Sequence, residues 1–450
     1  MKSKASLFLL ISFLFSSSLF SQDYSGMWMG TLVVNENVKM QIGFEISDLG
    51  DGDYSAKMNV IEQNAYDLPM DVCTIKDRAL HMEFNAAGIV YDGTFNLKEG
   101  KVDGEFKQSG ATFDLDLEKK DGLPEKKKRS QLPKRPFPYV EEEVIFKNPG
   151  GDALSGTLTM PRKGEKFPAA VLIHGSGELE RDETSMGHFL LLADLLTKNG
   201  YAVLRYDKRG VGKSTGDYAS ATTYDFAKDA KAALDYLKSR SEIDKKSIGL
   251  IGHSEGTLVA SIIAAEHKKD VDFVILMGGI GVPGKELILK QEEIISRISG
   301  APEETISELI EMKAQLYDAT IKGGSNEEIT GSVEEIYPDI PEALLSMLTW
   351  EWFQAFLALD PQPYLREIKC PVLAITGEKD TQCDPEQNLP AIESALKKGG
   401  NKYFTVLTMP GQNHLFQRAE SGLPLEYEQL DDIIAPSTQH QIISWLNDLK

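Results

Sequence analysis

Three cysteines in 450 residues, Cys73, Cys370 and Cys383, are too few for a disulfide framework. Cys370 and Cys383 flank one strand and its following loop, so a single bridge between them is the pairing that the spacing leaves open. Paired Cys/His spacings are missing as well, so no metal site is expected. Positive charge is scarce: 48 Lys and Arg face 69 Asp and Glu, a net charge of -21. A chain this acidic cannot offset phosphate repulsion, which argues against a nucleic-acid partner. Long apolar runs are absent too. Leu7–Phe15 is too short to span a bilayer comfortably; it follows Lys2 and Lys4 and precedes small residues Ser16, Ser17, Ser18 and Ser21. Residues 1–22 therefore read as a secretory leader, cut before Gln22 or Asp23, which predicts a periplasmic or secreted protein. No later segment reaches spanning length, so no stable membrane span is expected.

What is present is a folded composition, 41% apolar and 26% charged, long enough for two globular parts. Residues 23–118 alternate short apolar runs with turn signals at Gly50-Asp51-Gly52, Asp92-Gly93 and Asp103-Gly104, which predicts a small all-β domain, sandwich or barrel. Residues 119–138 interleave Lys126, Lys127, Lys128, Arg129, Lys134 and Arg135 with prolines and predict an extended linker. From 139 to 450 strands alternate with helices, among them the amphipathic face Phe226, Ala230, Ala233, Leu234 and Leu237. That grammar predicts an α/β fold, a mostly parallel sheet with helices on both faces. The stretch from about 284 to 360 breaks the alternation, is helical, and is expected to be an inserted cap.

Chemistry concentrates at sheet ends. Gly252-His253-Ser254-Glu255-Gly256 sits between the apolar strand Ile248–Ile251 and the helical run Leu258–Ala265. A serine on a strand-to-helix turn is thrust out of the sheet, and the next helix aims its amides at the place where negative charge develops in acyl transfer. Ser254 is thus the expected nucleophile. A serine hydroxyl needs a base, and of seven histidines His414, in a loop after Tyr403–Leu407, has the chain position for it. The acid belongs after the strand Val372–Thr376; Asp380 is preferred, with Glu378 and then Asp384 as competitors. For the oxyanion, one amide is that of Glu255; the second comes from His174-Gly175-Ser176-Gly177, at Ser176 with Gly177 as the near alternative. His174 itself reads as a loop organiser. Trp350, Trp352 and Phe356 in the cap are candidates for an apolar substrate pocket, to which Gly177 is added. Gly210-Val211-Gly212-Lys213-Ser214 lacks the leading glycine of a phosphate loop, so no nucleotide is expected.

These blocks resemble the bacterial EstD-like α/β-hydrolases, distantly akin to the prolyl oligopeptidase group. The matching stretches are His174-Gly175-Ser176-Gly177 with Glu180-Arg181-Asp182-Glu183, Leu204–Ser214, Gly249–Gly256, Thr376–Asp380, Asn388-Leu389-Pro390 and Asn413–Gln417, in order over roughly residues 140–450. The resemblance implies a serine carboxylesterase for short acyl esters, without cofactor, acting through Ser254, Asp380 and His414. Two departures stand out: Thr257, where such proteins commonly carry glycine, and Gln382-Cys383-Asp384 after the acid. The front domain, opening on Ser25–Gly30, is similar to lipocalin-like domains that precede such hydrolases. Rival expectations are a peptidase or amidase, and a non-catalytic glycan- or lipid-binding protein.

Overall fold

The computed structural model describes residues 23–35, 38–63, 65–108, 110–124, 129–183 and 186–449; the expected leader lies outside them. Two compact units divide the chain, with the boundary at residues 125 and 126.

The first unit is one antiparallel sheet folded around its own core. Its strands are β1 (Gly26–Val33), β2 (Lys39–Gly50), β3 (Asp53–Val60), β4 (Ala65–Pro69), β5 (Val72–Lys76), β6 (Ala79–Phe84), β7 (Ile89–Asn96), β8 (Lys101–Gln108), β9 (Ala111–Asp114) and β10 (Leu117–Lys120). They run in the order β4-β3-β2-β1-β10-β8-β7-β6-β5, with β9 on β8. Trp28, Phe44, Tyr91 and Phe95 fill the interior and are at most 1% exposed. Two expected turns are instead mid-strand. Gly93 pairs directly with Gly104 across β7 and β8. A Cβ on Gly104 would lie 2.3 Å from the Tyr91 hydroxyl, so these glycines make room for a ring rather than reverse the chain.

The second unit carries β11 (Val140–Lys147), β12 (Ala153–Met160), β13 (Phe167–Ile173), β14 (Ala202–Tyr206), β15 (Ile243–His253), β16 (Phe273–Met277), β17 (Val372–Gly377) and β18 (Phe404–Met409). Their order is β11-β12-β14-β13-β15-β16-β17-β18. The first two pairings, β11 with β12 and β12 with β14, are antiparallel and the rest parallel. Ala169–Leu172, Val274–Met277 and Val372–Ile375 are fully buried, as strands covered on both faces must be. Helices α1 (His188–Lys198), α2 (Thr223–Ser239), α3 (Glu255–Glu266), α9 (Gln362–Glu367), α10 (Pro385–Lys398) and α11 (Pro436–Asp448) cover it. Local signals set several of their ends: a Thr222/Asp225 capping box opens α2, and Asp384 with Pro385 opens α10.

The interval between β16 and α9 holds α4 (Gly284–Ile298), α5 (Glu303–Lys322), α6 (Asn326–Ile336), α7 (Glu342–Leu348) and α8 (Glu351–Ala358). They share a separate apolar cluster that includes Leu316, Tyr317, Val333, Leu348 and Phe353. A Cβ on Gly284 would fall 1.9 Å from the Phe356 carbonyl oxygen, so glycine lets α4 start hard against α8.

The expected extended linker is corrected at both ends. Its first residues complete β10, and from Arg129 the chain is bound to the second unit. Arg129 is buried and donates to the carbonyls of Tyr427 (3.0 Å) and Glu428 (2.6 Å). Gln131 Oε1 accepts from the Ile433 and Ile434 amides. Arg129, read as one of a mutually repelling run, finds backbone acceptors instead, and Arg135 pairs with Glu141. All three cysteines are free thiols, so the Cys370–Cys383 bridge is not formed.

Candidate active site

β15 is central in the parallel part of the sheet and ends at His253. Ser254 then turns the chain at φ 54° and ψ -122°, a conformation costly for any residue with a side chain. Its amide donates to Met277 O (2.9 Å), and its carbonyl accepts from the Thr257 amide (2.8 Å) and hydroxyl (2.7 Å). The flanking glycines are dictated by proximity. A Cβ on Gly252 would lie 2.2 Å from Gly256 O, and one on Gly256 would lie 2.1 Å from Ile173 O. Thr257 also accepts from the Ile280 amide at 3.1 Å, so its hydroxyl stitches the turn to the end of β16.

Two neighbouring strands deliver the other groups. Asp380 follows β17, His414 follows β18, and both are buried. His414 Nδ1–H donates to Asp380 Oδ2 at 2.8 Å, while Oδ1 accepts from the amides of Gln382 (2.9 Å) and Cys383 (2.8 Å). This leaves Nε2 as the ring nitrogen not engaged by the carboxylate. The competitors have other work: Glu378 accepts from the Gly411 amide (2.7 Å), and Asp384 caps α10 through the Gln387 amide (3.2 Å). Asn413 Oδ1 gathers the amides of Leu415 and Gln417 and so shapes the histidine loop. A Cβ on Gly278 would sit 3.1 Å from His414 Cε1, so this glycine at the end of β16 admits the imidazole.

Beneath that pair lies a second carboxylate–imidazole cluster. Glu183 Oε1 accepts from His253 Nδ1–H (2.9 Å) and the Gly175 amide (3.2 Å), and Oε2 from His188 Nδ1–H (2.5 Å). His253 Nε2–H donates to His414 O at 3.0 Å. Both partners of His253 are acceptors, an arrangement that favours the imidazolium. Burial opposes that charge, but the Glu183 carboxylate and the His414 carbonyl outweigh it and hold His253 above its ordinary value. Burial likewise opposes ionisation of Glu183, yet His253 and His188 hold its carboxyl well below the usual range. His188 is kept lower than usual by burial. His174 is pulled down to about 4 by burial and donates Nε2–H to Tyr206 O, the organising role expected of it.

Metal-capable atoms of Glu183, His188 and His253, and of Asp380, Cys383 and His414, come within 4.8 Å of one another. In both clusters imidazole N–H groups already satisfy the carboxylate. The phosphate-loop-like turn is likewise filled from within: Lys213 N donates to Asp207 Oδ2 (3.0 Å) and Ser214 Oγ to Asp207 O (2.7 Å).

Ser254 and His414 share a cavity of about 360 Å³ with Gly175, Ser176, Leu179, Glu183, His253, Ile280, Leu287, Ile288, Gln291, Trp352, Phe356, Gln382, Cys383, Leu415 and Tyr427. Among the described residues the Ser176 and Glu255 amides have no protein acceptor; Ser176 lines the cavity, and Glu255 opens α3 directly after Ser254, which lines it. Trp352 and Phe356, one turn apart on α8, line the cavity; Trp350 and Gly177 do not. Trp350 precedes the helix and donates Nε1–H to Ala219 O at 2.8 Å. Trp352 donates to Glu255 Oε1 at 2.7 Å, tying the cap to the elbow. Sequence reasoning missed the parts played by Glu183 and His253. The one available signal was their place in the motif blocks.

A family model described as serine aminopeptidase, S33, matches residues 165–418, more than half of the chain and all of the loops just described. The chain belongs to this family. The fold agrees with that membership: an α/β-hydrolase sheet, parallel from β14 to β18, with helices on both faces. The chain is similar to the esterase EstD of Thermotoga maritima, 26% identical over 299 residues, covering 65% of this chain and 64% of that protein. It thus spans under two thirds of EstD's length. An acyl transferase of Photobacterium leiognathi is 30% identical over 155 residues, 33% of this chain and 46% of the relative. Among solved structures, the Pyrococcus furiosus esterase Pf2001 aligns with 69% of this chain and 90% of its own at 18% identity and a TM-score of 0.42. The Pseudomonas aeruginosa protein PA2218 aligns over 73% and 99% at 20% identity and 0.46.

Proposed function

We propose that the protein is an exported carboxylesterase that cleaves small, mostly apolar acyl esters through an acyl-enzyme on Ser254. The observation that carries this reading is the Asp380–His414 hydrogen bond of 2.8 Å in a cavity shared with a serine on a strained turn. In the proposed reaction the Ser254 hydroxyl loses its proton to His414 Nε2 as its oxygen attacks the ester carbonyl. The Glu255 and Ser176 amides receive the oxyanion, and Asp380 stabilises the imidazolium. Collapse breaks the bond to the alcohol, which takes the proton from His414. Water then repeats the sequence and releases the acid.

Burial of charge in the site favours an ester over a peptide. An aminopeptidase must hold the protonated amine of its substrate, which calls for an available acceptor of negative charge. Glu183 is committed to His188, His253 and Gly175, and Asp380 to His414. The apolar part of the remaining wall, Leu179, Ile280, Leu287, Ile288, Trp352 and Phe356, suits a neutral chain, and its polar members Gln291, Gln382 and Tyr427 carry no charge to hold an amine. The interior of the front unit is packed with its own aromatic side chains, which speaks against a lipid held inside it.

A fluorophosphonate probe tests the class: labelling should vanish in Ser254→Ala, and labelling that persists sinks the proposal. Aryl esters of rising acyl length, set against aminoacyl anilides, test the substrate; faster anilide cleavage would return the peptidase reading. Export rests on the leader, and the mature N-terminus should fall at Gln22 or Asp23 by mass spectrometry of the exported protein.

A further inference from the structure

Lys208, just past β14, is a lysine buried under the elbow, with its side chain 4% exposed. Its Nζ donates to Gly175 O at 2.7 Å and lies 3.4 Å from Glu255 Oε2. The ammonium sits 4.1 Å from the centre of the Phe226 ring. Glu255 is buried in turn, and its other oxygen accepts from Thr223 Oγ1 and Trp352 Nε1, each at 2.7 Å.

These contacts meet at the two backbone donors. Gly175 O and Ser176 N–H belong to one planar peptide unit. In a trans unit they point in opposite directions, so fixing the oxygen fixes the amide. The segment needs such a clamp, because Gly175 offers little resistance to a flip of the plane. A cation on the carbonyl oxygen also polarises the unit and strengthens its N–H as a donor. The same ammonium faces the carboxylate of Glu255, whose backbone N–H is the other donor.

We propose that Lys208 is the positioning residue of the oxyanion hole, holding the Ser176 amide toward the substrate through Gly175 O and joining that peptide to Glu255. This rests on the esterase reading above. The lysine touches no reacting atom. Its role is to keep both donors in place before charge develops, which is when preorganisation lowers a barrier.

Lys208→Met should lower kcat on a short aryl ester by about 10- to 100-fold with KM within about threefold, less than outright loss of a donor. Affinity for an alkyl boronic acid, which forms a tetrahedral adduct on the serine, should weaken by the same factor. The end point of fluorophosphonate titration should stay stoichiometric. Because the single variant strands Glu255 in the interior, Lys208→Met/Glu255→Gln is the second arm; its amide still accepts from Trp352 and Thr223. The double variant should remain as slow as the single one. Recovery of kcat to within threefold of wild type would reduce the lysine to a counterion and overturn the proposal. Loss of kcat with unchanged boronic-acid affinity would overturn it as well. A wild type that resists the probe, or Ser254→Ala that still reacts, removes the esterase reading and the lysine's role together, and is seen before any lysine variant is made.

Discussion

Two carboxylate–imidazole pairs sit side by side in this molecule, with the rings of His253 and His414 4.8 Å apart, and they do opposite things. In one, Asp380 takes a single N–H from His414 and leaves the far nitrogen to the cavity. In the other, Glu183 takes two imidazoles and an amide, and His253 spends both nitrogens on acceptors. Proximity to a carboxylate therefore does not make a base. A free nitrogen facing a cavity does, and the saturated pair becomes a brace for the loop that carries the free one.

Disabling the open pair should cost rate. Asp380→Asn is expected to reduce kcat by about 10⁴-fold, because the wrong tautomer of His414 is then favoured, with the thermal midpoint little changed; steady-state kinetics beside a melting curve checks both. Breaking the closed pair should cost fold. Glu183→Gln strands the His253 imidazolium and is expected to remove about 3–5 kcal/mol in chemical denaturation, with a much smaller loss of turnover in the protein that stays folded. Equal damage to rate and stability in both variants would erase the distinction.

A third test uses His174, which is buried neutral with its pKa depressed from near 6.5 to about 4. Between those values the unfolded chain binds a proton that the folded one refuses, so stability is present above pH 6.5 and is lost as pH falls toward 4. The loss is about 3 kcal/mol, and Glu183, also depressed, adds to it in the same direction on the acid side. In His174→Gln the fall in melting temperature between pH 7 and 4.5 should be shallower; an unchanged slope counts against a neutral buried ring. The smallest effect is expected from Trp352→Phe, which keeps the apolar wall but removes the donor to Glu255. It should cost about 1–2 kcal/mol and raise KM a fewfold for longer acyl chains.

Much of the second unit was legible because its candidate site follows strands. Ser254, Asp380 and His414 each come just after an apolar run that β-pairing places in parallel, so order along the chain translates into position at the C-terminal ends of the strands. The closed pair was not legible. Glu183 meets His188 five residues on but His253 seventy residues on, and nothing in the spacing reports on burial, which is what turns a loop carboxylate into an ion-pair partner. The aromatic cap was legible only in part. Trp352 and Phe356 are four apart and share a face of α8, whereas Trp350 stands before the first helical residue and is released from that periodicity. In the front unit Asp92-Gly93 and Asp103-Gly104 carry turn chemistry, yet the glycines are paired across strands by the bulk of Tyr91. A local signal lost there to a ring that stands two residues from Gly93 but meets Gly104 only through the pairing of β7 with β8.

The crowding around Gly252 and Gly256 bears on how such a protein can diversify. Where the next backbone oxygen is nearer than a methyl group can tolerate, mutation has no small steps to take, and the turn is frozen whatever the substrate. Adaptation to a new ligand is left to the inner faces of α4 and α8, at Leu287, Ile288, Gln291 and Phe356. A library confined to those positions should change selectivity without touching the turn.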